Sequence, residues 1–178
     1  GVSGDEAAAA QRDLAAEAMK AGVSVGAVTA DIAKNSKATS KYFGGNVKAL
    51  KKAAIEAAKM GVSLETMAKV SDGLLDFESS ISAQFELQAL TGKQMNFDLA
   101  RQLALEGDIA GATQAVLDQV GSIHDFNQMD VLERKKLAEA TGMSVDELQK
   151  SLTIQSKLGD LTEDQAAAMA GLGLSAAE

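Results

Sequence analysis

Apolar residues recur along this chain at three- and four-residue spacing, in short runs separated by single glycines. That period belongs to helices with one buried face. Ile109, Ala112, Val116 and Val120 form one such stripe, and Val145, Leu148 and Leu152 form another. The pattern predicts helices over approximately 5–21, 24–34, 37–43, 46–60, 63–90, 96–106, 109–120, 130–141, 144–157 and 162–170. The β-branched and aromatic runs that mark strands are missing. Stripes this short do not hold a helix in water alone, so the helices must pack on one another. The predicted fold is all-α: a multi-helical bundle of short amphipathic helices around one longer central helix.

The candidate for that central helix is 63–90, about 42 Å if continuous at 1.5 Å per residue. Met67, Val70, Leu74, Phe77, Ile81 and Phe85 repeat along it with a spacing close to a coiled-coil seam. Two readings compete. Either the seam is the core around which the short helices wrap, or it is a contact between copies. On the core reading, which we prefer, a charge placed at Phe77 unfolds the chain. Asp72-Gly73 in the middle can kink or end the helix.

The punctuation is repetitive. Gly22-Val-Ser-Val25, Gly61-Val-Ser-Leu64 and Gly142-Met-Ser-Val145 each follow an alanine-containing helix. The glycine can take the left-handed conformation that ends one helix, and the serine can cap the next. Ser144 with Glu147 has the spacing of a reciprocal capping box, as does Thr162 with Gln165.

Composition supports the helical reading. The 178 residues include no proline, cysteine or tryptophan and sixteen glycines. Average usage would give about nine prolines, so the commonest helix breaker is gone. Absence of cysteine excludes disulfides, thiolate metal sites and a cysteine nucleophile. No apolar run approaches the length of a membrane span.

Charge divides the chain. Residues 1–60 hold nine basic and six acidic groups, whereas residues 61–178 hold eight and nineteen. The basic excess includes Lys48, Lys51, Lys52 and Lys59 on the predicted 46–60 helix. Such a cluster can meet nucleic acid, the acidic part of this chain or that of a neighbouring copy, or simply face solvent.

Candidate chemistry is sparse. His124 is the single histidine and has no cysteine to join it in a metal site. Phe43-Gly-Gly-Asn46 lacks the spacing and the lysine–serine ending of a phosphate loop. No glycine-flanked serine elbow is present, and nothing marks two of the many carboxylates as a hydrolytic pair. No catalytic, cofactor or metal residue is assigned. Leu137 to Leu148 has the apolar and glycine spacing of a helix-turn-helix, but its second helix opens Val145-Asp-Glu147, with carboxylates where phosphates would lie. Sequence-specific DNA binding is the weaker reading.

Several phrases in order carry a resemblance: Phe43-Gly-Gly-Asn46 with the alanine-rich helix after it, Gly73-Leu-Leu-Asp-Phe-Glu-Ser-Ser-Ile81, Leu99-Ala-Arg-Gln-Leu-Ala-Leu-Glu-Gly-Asp108, and Phe126-Asn with Val131-Leu and Leu137-Ala. Over roughly residues 30 to 155 the chain resembles a segment of bacteriophage tail tape measure proteins. The resemblance implies a structural virion protein, made in the host cytoplasm, that sets tail length during assembly and leaves the tube ahead of DNA. It implies partners among tail tube, tail-tip or baseplate proteins, an assembly chaperone and further copies of itself. No peptidoglycan-cleaving or membrane-crossing activity is carried onto these residues. The reading from residues alone is a cofactor-free helical adaptor for protein contacts. Expected organisation is a partly basic N-terminal group of short helices over 1–45, a main helical domain over 46–158, and a C-terminal helix over 159–178 leading into a longer chain.

Overall fold

Eleven helices and no strand make up the described part of the protein, so the fold is all-α. The structure is a computed structural model that describes the backbone of residues 4–37 and 39–171 and the side chains of 8–37 and 39–160. The helices are α1 (Gly4–Lys20), α2 (Val25–Asn35), α3 (Ser40–Phe43), α4 (Val47–Met60), α5 (Leu64–Leu75), α6 (Phe77–Thr91), α7 (Asp98–Leu105), α8 (Ile109–Val120), α9 (Ile123–Gln128), α10 (Val131–Thr141) and α11 (Val145–Gly171).

The predicted punctuation is present. Gly22, Gly61 and Gly142 stand at φ of 71°, 70° and 73°. Ser24 and Ser63 accept hydrogen bonds from the backbone N–H groups of Ala27 and Thr66. Ser144 and Glu147 form the reciprocal box, each accepting the other's backbone N–H. Gly61 also lets two helices approach closely: a Cβ there would collide with Ile154 of α11.

The long helix over 63–90 does not form. It breaks at Asp76, which ends α5 and caps α6, its carboxylate accepting from the backbone N–H and the hydroxyl of Ser79. At Asp76 ψ is 80°, so the apolar period does not carry across. Gly73, three residues earlier, stays helical. The centre is therefore the twelve-residue α5, which packs against α2, α4, α6, α7, α8 and α10. Its Leu64, Met67, Val70 and Leu74 are buried. Each fully buried side chain of this size stabilises by roughly 1.5–3 kcal/mol relative to exposure.

The stripe on α8 is buried throughout, from Ile109 through Ala112 and Val116 to Val120, and Leu148 and Leu152 seat α11. Helix α3 starts at Ser40 rather than 37, and two further elements differ from expectation. Helix α11 runs on through Gly159 to Gly171 as one element; the side chains of the Thr162 capping box lie outside the described residues. Helix α9 is additional. Ser122 caps it, with Asp125 completing the box, but six residues holding two apolar positions are too short for a period to register.

Candidate interaction surfaces

The sequence-predicted seam divides at the Asp76 break. Met67, Val70 and Leu74 are buried in the core of α5. Beyond it, Phe77, Ile81 and Phe85 are 45%, 41% and 62% exposed. Phe77 is therefore not a core residue, contrary to the preferred reading of the seam. The physical cause is the turn at Asp76, which leaves Ser80 and Leu87 as the buried residues of α6. Its inner side is fixed by polar contacts. Gln84 and Gln88 both donate to the carbonyl of Met95, at 2.7 and 2.6 Å. Buried Arg101 reaches Ser80 and Gln84 from α7, at 3.0 and 2.8 Å, and pairs with Asp98. These bonds hold α6 so that its phenylalanines face outward.

The four lysines on α4 do not converge on one point. Lys51 donates to the carbonyl of Ala10 at 2.8 Å, tying α1 to α4. Lys59 pairs with Glu56 at 3.3 Å. Lys48 and Lys52, both exposed, form no ion pair among the described residues. Lys52 borders a groove of about 630 Å³ between α3–α4 and the α7–α8 turn, where Glu56, Glu106 and Asp108 also line the wall. Carboxylates outnumber the cation there, which disfavours a phosphate. Asp108 is also occupied in capping α8 through the N–H of Gly111.

Beside that groove lies a trio that pattern reading missed. Asp72 of α5 pairs with Lys41 at 2.7 Å and accepts the hydroxyl of Tyr42. Burial works to raise the Asp72 carboxyl, but the hydrogen bonds from Lys41 and Tyr42 and the lysine charge hold it below the usual carboxylate range. Burial, the hydrogen bond to Asp72 and its negative charge raise the Tyr42 phenol. The two groups on α3 stand thirty and more residues from Asp72 in sequence, so no local spacing signals them. The trio ties α3 to α5.

His124 sits exposed on α9, and its neighbour Asp125 is engaged in the capping box with Ser122. Among the described residues no group of three His, Cys, Asp or Glu stands close enough to hold a metal ion. No described helix is long and apolar enough to cross a membrane. The helix-turn-helix spacing at α10–α11 serves packing. Leu137 and Leu148 are buried, and Glu147 accepts the Thr66 hydroxyl of α5 at 2.8 Å, so the start of α11 is held against the core. Comparison with protein families, curated proteins and solved structures found no match.

Proposed function

We propose that this chain is a folded helical segment of a phage tail tape measure protein, a structural part of the virion that contributes to tail length and leaves the tube ahead of DNA. The observation that carries the reading is the order of its phrases, from Phe43-Gly-Gly-Asn46 through Gly73 to Ile81 and Leu99 to Asp108, to Phe126-Asn. An all-α fold with its polar chemistry spent on caps and helix ties is compatible with such a role. The function is mechanical and uses protein contacts; its partners are tail tube, tail-tip or baseplate proteins and an assembly chaperone. Mass spectrometry of gradient-purified tailed particles from the source phage tests the assignment. Peptides of this chain should co-purify with tails, and their restriction to the soluble lysate would reject it.

A second reading is favoured by the outward face of α6. Phe77, Ile81 and Phe85 exposed together on one helix suit a cofactor-free adaptor that binds another protein. The two readings separate on location, since an adaptor need not enter the particle.

A further inference from the structure

Residues 92–97 connect α6 to α7 without helix, and burial alternates along their second half: Met95 and Phe97 are buried, Gln94 and Asn96 exposed. Such a segment has no helical ladder to satisfy its backbone. Carboxamides supply the partners instead. Gln84 and Gln88 donate to the Met95 carbonyl, and Gln119 of α8 accepts the Asn96 N–H at 2.9 Å. Asn96 in turn accepts the Asp98 N–H through Oδ1 at 2.8 Å.

These bonds also fix what each amide turns outward. A carbonyl oxygen only accepts and a backbone N–H only donates, so Gln88 spends its Nε2 on the segment, while Asn96 and Gln119 spend their oxygens. What remains is Oε1 of Gln88, Nδ2 of Asn96 and Nε2 of Gln119, none of which is hydrogen-bonded among the described residues. All three residues line one groove of about 420 Å³, together with Gln94 and with Phe85, which is 62% exposed. That volume lies within the roughly 300–1,000 Å³ of small-molecule sites.

Charge narrows the ligand. Asp98 is the one charged side chain of the lining, and Arg101 neutralises it at 2.9 Å. An anion finds no cation there, and a cation finds only a carboxylate already paired. The groove offers fixed donors, fixed acceptors and one aromatic surface. A hydroxyl both donates and accepts, so a ring bearing several hydroxyls satisfies amides of either sense. Its C–H face covers the electron-rich face of the phenyl ring.

We propose that the groove between α6, the 92–97 segment and the end of α8 binds a neutral saccharide, its C–H face on Phe85 and its hydroxyls bonded to Gln88, Asn96 and Gln119. Saccharide binding here needs no tail and is independent of the tape measure reading.

Nuclear magnetic resonance titration of the nitrogen-15-labelled full chain tests it, with the neutral trisaccharides of glucose, galactose, mannose and N-acetylglucosamine as probes. At least one should bind saturably, with Kd on the order of 1–10 mM. It should shift the side-chain NH2 signals of Asn96 and Gln119 and leave that of Gln102, an exposed amide outside the groove, in place. Phe85→Ala and Phe85→Leu should each weaken binding by roughly threefold or more with the helical spectrum unchanged, whereas Phe85→Tyr, which keeps the ring, should bind like the parent. No saturable binding of any of the four probes, shifts that bypass Asn96 and Gln119, or parental affinity in Phe85→Leu would each overturn the proposal.

Discussion

At the scale of residues, Glu147 does two tasks with one carboxylate. One oxygen accepts the Ser144 backbone N–H at 2.8 Å and closes the cap of α11, while the other accepts the Thr66 hydroxyl of α5. Burial opposes its ionisation, but these hydrogen bonds outweigh that and lower its pKa below the ordinary 4.5. A depressed carboxylate stabilises the fold above its ordinary pKa, and the contribution is lost as pH falls through the lowered folded value. Asp72 follows the same sign. Urea unfolding should show stability declining below about pH 4.5, and Glu147→Gln should flatten part of that decline at a neutral-pH cost of about 1 kcal/mol. A decline identical to the parent's would remove Glu147 from the account.

Glycines at the helix ends allow a sharper comparison at this scale. Gly22 and Gly61 share a left-handed backbone, so alanine at either costs about 1–2 kcal/mol in conformation. At Gly22 the added methyl meets open space, whereas at Gly61 it strikes Ile154. Gly61→Ala should therefore destabilise more than Gly22→Ala in chemical denaturation. Equal losses would mean that the α4–α11 contact is looser than described.

At the scale of elements, the break at Asp76 reverses one expectation. Because Phe77 is half-exposed at the first turn of α6, Phe77→Asp should lower stability by only about 1 kcal/mol, the lost packing partly offset by a carboxylate at a helix N-terminus. Leu74→Asp, three residues earlier and 2% exposed, should unfold the protein, since an unpaired buried charge costs several kcal/mol. Circular dichroism and thermal melts of the pair would expose the division. Unfolding by Phe77→Asp would restore a continuous core seam.

That contrast also marks what the sequence made legible. Elements joined by a glycine and a capping serine were readable, because cap and breaker are local chemistry. The stripe of α8 was readable because one face is apolar over its whole length. The face of α6 was not, since an apolar three-four period records spacing and carries no direction once Asp76 turns the chain. The Lys41–Tyr42–Asp72 trio and the engagement of Lys51 with Ala10 depend on tertiary placement, which no spacing encodes. Helix α9 was not legible because six residues hold too few apolar positions for a period, and its capping box has aspartate where glutamate or glutamine is usual.

At the scale of the whole molecule, the proposed role is that of a folded helical module within a length-setting tail protein. A ruler acts through its physical span. As one unbroken helix, 178 residues would reach roughly 270 Å, whereas a globule of this length has a radius of gyration of only about 16 Å. The direct test is tail length, measured by electron microscopy of phage carrying an in-frame deletion of these residues. The account predicts tails that are shorter, by well under the roughly 270 Å of an extended helix. Tails of full length on fully infectious particles would contradict it.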